Sequence, residues 1–178
     1  MEATENRTAT TEQGRPALKN AAKLSMPSDR ELVITRDFNA PRDLVFEAWS
    51  KPEHIRRWFV RPPDATLPVC EMDFRPGGTW RWVARYPQAG GDHAFSGEYR
   101  EVVRPERLVF TERYEPIPDS DHLVTITFTE KGGKTALQEH ILYKSAEHRD
   151  GHLRSGMEAG MQEALNRLED VAASLRKA

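Results

Sequence analysis

The chain has 178 residues, 30% of them charged, with a formal net charge of −2 and a single cysteine. That balance excludes the broad basic field that draws proteins to nucleic acid or to an anionic membrane surface, and Cys70 alone excludes an internal disulfide. No apolar run reaches the length of a secretory core or a membrane span, so the expected residence is the cytoplasm.

This length suits one domain with a tail. Residues 1–30 hold too few apolar positions to offset the entropy of ordering, and we read them as a flexible N-terminal tail ahead of a domain over residues 31–178. The domain opens with a strand at 31–38, where Leu32, Ile34 and Phe38 share a face. Ala40-Pro41 stops it, a helix at 42–49 buries Val45, Phe46 and Trp49, and Lys51-Pro52 separates it from a second short helix at 52–59. From Thr66 the pattern becomes β-like, with runs at 66–74, 79–86, 93–103, 107–114, 122–130 and 134–143. Turn residues such as Pro76-Gly77-Gly78, Gly90-Gly91 and Gly132-Gly133 divide them. Alternation places Trp80, Trp82, Ala84 and Tyr86 on one face, and likewise Leu108, Phe110 and Tyr114, and Val124, Ile126 and Phe128.

Residues 147–175 read as one amphipathic helix about 40 Å long. Leu153, Met157, Met161, Leu165, Leu168, Val171, Ala172 and Leu175 form its apolar stripe, and Ser145 is its expected N-cap. Gly151, Gly156 and Gly160 interrupt the stripe at about 0.5–1 kcal/mol each, which marks either a later helix start or room beside the helix. The element order is β-α-α-β-β-β-β-β-β-α, an α+β fold whose curved sheet wraps the terminal helix.

The residues Arg36-Asp37-Phe38-Asn39-Ala40-Pro41, Val45-Phe46-Glu47-Ala48-Trp49, Arg57-Trp58-Phe59, Asp73 to Gly78 followed by Trp80, Pro105 to Thr111, and Gly156-Met157 carry a resemblance in their order and spacing. The chain resembles the family related to the C-terminal domain of the heat-shock-protein-90 ATPase activator, within the START-like, polyketide-cyclase-like SRPBCC superfamily. The resemblance implies a helix-grip fold: a seven-stranded antiparallel sheet curled around a long C-terminal helix, with a cavity between them. Similar sequences commonly carry an aromatic or apolar residue where Glu112 stands and an apolar one where Glu139 stands.

Within that fold the expected ligand-binding lining is Trp58, Trp80, Trp82, Tyr86, Tyr99, Phe110, Met157 and Met161, which offer adaptable apolar surface. Glu112, Glu139 or Gln138 would set its polarity. Glu101, Glu112 and Glu139 are the catalytic candidates: two carboxyls sharing an apolar hollow would raise at least one pKa and leave a proton donor or base. His148 and His152 have the i,i+4 spacing of metal ligands, but no carboxylate pattern completes a set, and Cys70 lacks a base motif. No metal or cofactor is expected.

The leading expectation is binding of a small hydrophobic or amphipathic molecule between sheet and helix. The alternatives are a cofactor-free cyclase- or dehydratase-type enzyme using a cavity glutamate, and a co-chaperone-like interaction domain. The expected partner is a small hydrophobic ligand, with neither nucleic acid nor membrane; a homodimer and a chaperone contact stay open.

Overall fold

Alternation of buried and exposed side chains sets the strands. Leu32, Ile34, Arg36 and Phe38 are buried while their chain neighbours are less so, and the same period of two recurs at Val124, Ile126 and Phe128. A computed structural model of the protein describes residues 20–61 and 63–176. It contains β1 (Lys23–Ser25), β2 (Glu31–Phe38), α1 (Arg42–Ser50), α2 (Pro52–Trp58), β3 (Thr66–Met72), β4 (Thr79–Tyr86), β5 (Gly91–Val103), β6 (Arg107–Tyr114), β7 (His122–Lys131), β8 (Lys134–Leu142), α3 (Ala146–Arg154) and α4 (Met157–Leu175).

The strands form one sheet in the order β1-β2-β8-β7-β6-β5-β4-β3, with antiparallel neighbours throughout. The chain leaves β2 through α1 and α2, re-enters at the far edge as β3, and meanders back until β8 lies beside β2. This is the helix-grip arrangement with one strand more than the seven expected. The extra strand comes from the segment read as tail: Leu24 pairs with Ile34 and packs on the core. Residues 1–19, the rest of that expected tail, lie outside the described residues.

The terminal helix is divided. Ser145 caps α3, its side chain accepting the His148 N–H at 3.2 Å. At Gly156 the backbone turns to φ 81°, the left-handed region in which a β-carbon is penalised, and α4 starts afresh. A side chain added at Gly151 or Gly160 would meet nothing within 4 Å, so these two mark an exposed face and not a site of close approach. The buried positions of α4 are Leu165, Leu168, Val171 and Ala172, none of them in its first eight residues, and α3 buries none. Each large apolar side chain buried there contributes roughly 1.5–3 kcal/mol.

A buried cation fastens that later part of α4 to the sheet. Arg36 is 5% exposed; its Nη1 donates to Asn166 Oδ1 at 2.6 Å and its Nη2 to Glu169 Oε2 at 2.7 Å. The second Glu169 oxygen accepts the Asn39 N–H at 2.9 Å, and Arg167 Nε donates to the Trp58 carbonyl at 2.9 Å from the same helix. Removing one partner strands a charge out of water, which is far costlier than never having buried it. We expect Glu169→Ala to lower unfolding stability by about 3 kcal/mol in urea titration, whereas Glu163→Ala, at a pair nearly half-exposed on its acidic side, should change it by about 0.5 kcal/mol or less. Equal losses would contradict the anchoring role of Arg36.

Candidate functional site

The concave face has an aromatic half and a polar half. In the aromatic half Trp58, Trp80, Trp82, Tyr99 and Phe110 are all at most 6% exposed. Their rings interlock mostly edge-on or tilted, with Trp80–Trp82 centroids at 4.8 Å and Trp58–Trp82 at 6.5 Å. Trp58 Nε1 donates to the Ala48 carbonyl at 2.8 Å. The void among Trp49, Trp80, Trp82, Tyr99, Leu108 and Phe110 measures about 10 Å³, room for about one water. These five residues of the expected lining are therefore packed core. Tyr86, Met157 and Met161 differ: each is half-buried against the core.

The three candidate glutamates separate. Glu112 lies on the concave face opposite His122 in the β6–β7 register, and Glu139 lies on it between Leu137 and Ile141, both buried. Glu101 does not join them. The β5–β6 register shifts between Tyr99 and Glu101, and this irregularity turns the side chain outward, where it meets Arg107 at 2.6 Å with nearly half its surface accessible. Gln138 is corrected as well: adjacent strand residues point to opposite faces, so with Glu139 inward it is exposed on the outer one.

The strand of Glu112 is held close to β5 by a glycine. The rungs Ser96↔Arg113 and Tyr99↔Phe110 leave Gly97 and Glu98 facing Thr111 and Glu112. There the Glu98 N–H donates to the Thr111 hydroxyl at 3.0 Å, and a β-carbon on Gly97 would fall 1.7 Å from the Thr111 carbonyl oxygen. Only glycine permits that approach.

Around the two carboxyls stand His122, Tyr143 and His152. His122 Nε2 lies 3.2 Å from Glu112 Oε1 and its Nδ1 3.1 Å from the Ser120 carbonyl oxygen. Both partners are acceptors, so an imidazolium satisfies both contacts. Tyr143 and His152 Nδ1 share a hydrogen bond of 2.7 Å, and the rings of His122, Tyr143 and His152 lie within 5.8 Å of one another, centroid to centroid. Glu139 has no hydrogen-bond or ion-pair partner among the described residues, yet it is not fully enclosed. Glu112 likewise keeps 25% of its side chain accessible. Both carboxyls, on the face that α3 and α4 cover, thus stay partly accessible to solvent.

The electrostatics follow from these contacts. Burial disfavours the charged Glu112, but the hydrogen bond and positive charge of His122 outweigh it and leave its pKa below the ordinary carboxylate value. Burial likewise opposes charge on His122, and the Glu112 hydrogen bond and charge more than reverse it, so its pKa is raised. Burial holds His152 below the ordinary histidine value, with Glu112 opposing. Glu139 has no such compensation: burial and then the charge of Glu112 push it up to about 7, against a weaker pull from His122. Burial, followed by both carboxylates, raises Tyr143.

The expectations missed His122, Tyr143 and His152. Parity could have found the first two, since His122 continues Val124 and Ile126, and Tyr143 continues Glu139 and Ile141. His152 had been read only with His148 as a metal pair. Among the described residues no group of three or more His, Cys, Asp or Glu side chains could hold a metal. Cys70 is buried, which pushes its thiol up to about 11 and leaves no thiolate for nucleophilic chemistry. A larger furrow of about 550 Å³ runs over the convex face past Arg81, Glu98, Arg113 and Glu115. It is open to solvent and both its arginines are paired, Arg81 with Glu115 in a bidentate contact at 2.9 Å and Arg113 with Asp121 at 3.9 Å, so it lacks the concave polar convergence of a site.

The family model described as "Activator of Hsp90 ATPase homolog 1-like protein" matches residues 39–173. The chain belongs to that family. Among solved structures, a Rhodobacter sphaeroides protein is 25% identical over 86% of this chain and 99% of its own, with a TM-score of 0.79. A Mycobacterium smegmatis protein is 25% identical over 85% and 96%, with a TM-score of 0.76. An AHSA1-like protein from Aeromonas hydrophila, 21% identical over 80% and 93% with a TM-score of 0.63, shares the fold. No curated protein matches the chain. Among the described residues of this AHSA1-like domain, no helix is long and apolar enough to cross a membrane.

Glu139 gives the AHSA1-like domain a pH signature of known sign. A carboxyl raised from 4.5 to about 7 on folding binds its proton more tightly in the folded state, so its contribution is fully present below the unfolded pKa and is lost as pH rises towards 7. We expect Glu139→Gln, relative to wild type, to gain about 2 kcal/mol of stability between pH 4 and pH 8 in urea titrations. A difference independent of pH would contradict the burial of an unpartnered carboxyl.

Proposed function

We propose that the protein binds a small amphipathic molecule in the recess between the concave face and α3–α4, with the polar end at Glu112 and Glu139. The observation that carries this reading is the Glu139 carboxyl: inward, reachable, and without a protein partner. A buried polar group lacking a partner costs stability, so one retained in an open recess suits a ligand that completes its contacts. Leu153, Met157 and Met161, half-buried against the core from the helix side, supply apolar surface at about 0.8 kcal/mol per ligand methylene covered. The ligand's apolar part then lies along these side chains and not within the filled aromatic half.

A second reading, acid–base catalysis without a cofactor, is favoured by one specific observation. Glu139 is pushed up to about 7 beside the ionised Glu112, the separation of two carboxyl pKa values that suits proton transfer near neutrality. Native mass spectrometry of freshly purified full-length protein tests binding. We expect a reproducible small-molecule adduct that falls at least tenfold in occupancy in Glu139→Gln. Bare protein in every preparation, with no small amphiphile able to raise the Tm, would overturn the proposal.

A further inference from the structure

We propose that the polar end of the bound molecule is a cation, an alkylammonium or amidinium group, and that it enters in exchange for a proton on Glu139. This inference rests on the binding function proposed for the recess and specifies its ligand. It follows from counting donors and acceptors. Both N–H groups of His122 are occupied by Glu112 and the Ser120 carbonyl, and the Tyr143 hydroxyl is occupied by His152. What remains is acceptor capacity on the carboxyls, the second oxygen of Glu112 and both oxygens of Glu139, against one spare donor left by the Tyr143–His152 pair. A recess rich in free acceptors selects a ligand that donates and rejects a carboxylate or phosphate.

Charge sharpens the choice between a cation and a neutral hydroxyl. His122 and Glu112 cancel one another, which leaves Glu139 as the uncompensated group. The titratable groups facing it are Glu112 from β6, His122 from β7, and Tyr143 from the segment leading into α3. Of the inward β2 residues beside it, Ile34 carries no charge and Arg36 is committed to Asn166 and Glu169 of α4. An ionised Glu139 thus lacks a cation of its own, and a ligand cation replaces the proton as its counter-charge.

The test is titration calorimetry of the full chain with octylammonium, octanol and octanoate at pH 6 and pH 8. We expect octylammonium to bind at least tenfold more tightly than octanol at pH 8, octanoate to bind more weakly than either, and the octylammonium Kd to tighten about tenfold from pH 6 to pH 8, as proton competition at a group near neutrality requires. In Glu139→Gln the preference for octylammonium over octanol should fall to about one. The pH series in wild type stands independently of whether that variant folds. Octanol binding as tightly as octylammonium, or no pH dependence, overturns the cationic head and leaves the binding function standing. Failure of all three probes to bind overturns both.

Discussion

Where α4 is tied down decides what the concave face can do. Arg36 rises from β2 with almost no contact with water and is satisfied only by Asn166 and Glu169 of α4, so the helix cannot leave this end of the sheet without stranding a cation. Leu168, Val171 and Ala172 are buried in the same half, with Leu165 at the helix's middle. Towards the other end the ties are lighter: Gln162 and Arg149 hydrogen-bond the backbone of Ala22 and Ser28, but α3 buries no residue, Gly156 breaks the helical run, and Met157 and Met161 are only half-covered. The recess proposed for the ligand lies at this more lightly held end.

The same asymmetry divides the sheet's chemistry. Beneath the anchored half, the aromatic side chains of α2, β4, β5 and β6 close up until about one water's volume remains, and dispersion and area burial there serve stability. Beyond it lie Glu112, Glu139, His122, Tyr143 and His152, groups that a fully packed core would not tolerate with one carboxyl unpartnered. Fold alone does not distinguish these two halves, and membership of the AHSA1-like family fixes the architecture without fixing an activity.

Much of the fold was legible because strand parity is a local rule. Leu32, Ile34 and Phe38, or Val124, Ile126 and Phe128, announce their face in the sequence, and so do Glu112 and Glu139. Glu101 was misplaced because the irregularity after Tyr99 depends on how two strands meet, which one strand's alternation does not encode. Gln138 should have been excluded by its neighbour Glu139. The filling of the cavity by Trp58, Trp80 and Trp82 was not legible, since parity gives direction and not packed volume. His152 required the position of α3, set by the turn at Gly156 and by the contact with Tyr143. The eighth strand escaped notice because Leu24 is a single apolar residue in a polar stretch, and it pairs only once β2 exists to receive it.

The central claim is that Glu139 faces an open recess as a carboxyl without a protein counter-ion, under the influence of Glu112. Carbon-detected NMR titration of the Glu139 side-chain carboxyl measures this directly. The account predicts a midpoint near 7 that falls when Glu112 is replaced by Gln, because a neighbouring negative charge has been removed. A midpoint at the ordinary glutamate value, unmoved by Glu112→Gln, would contradict it.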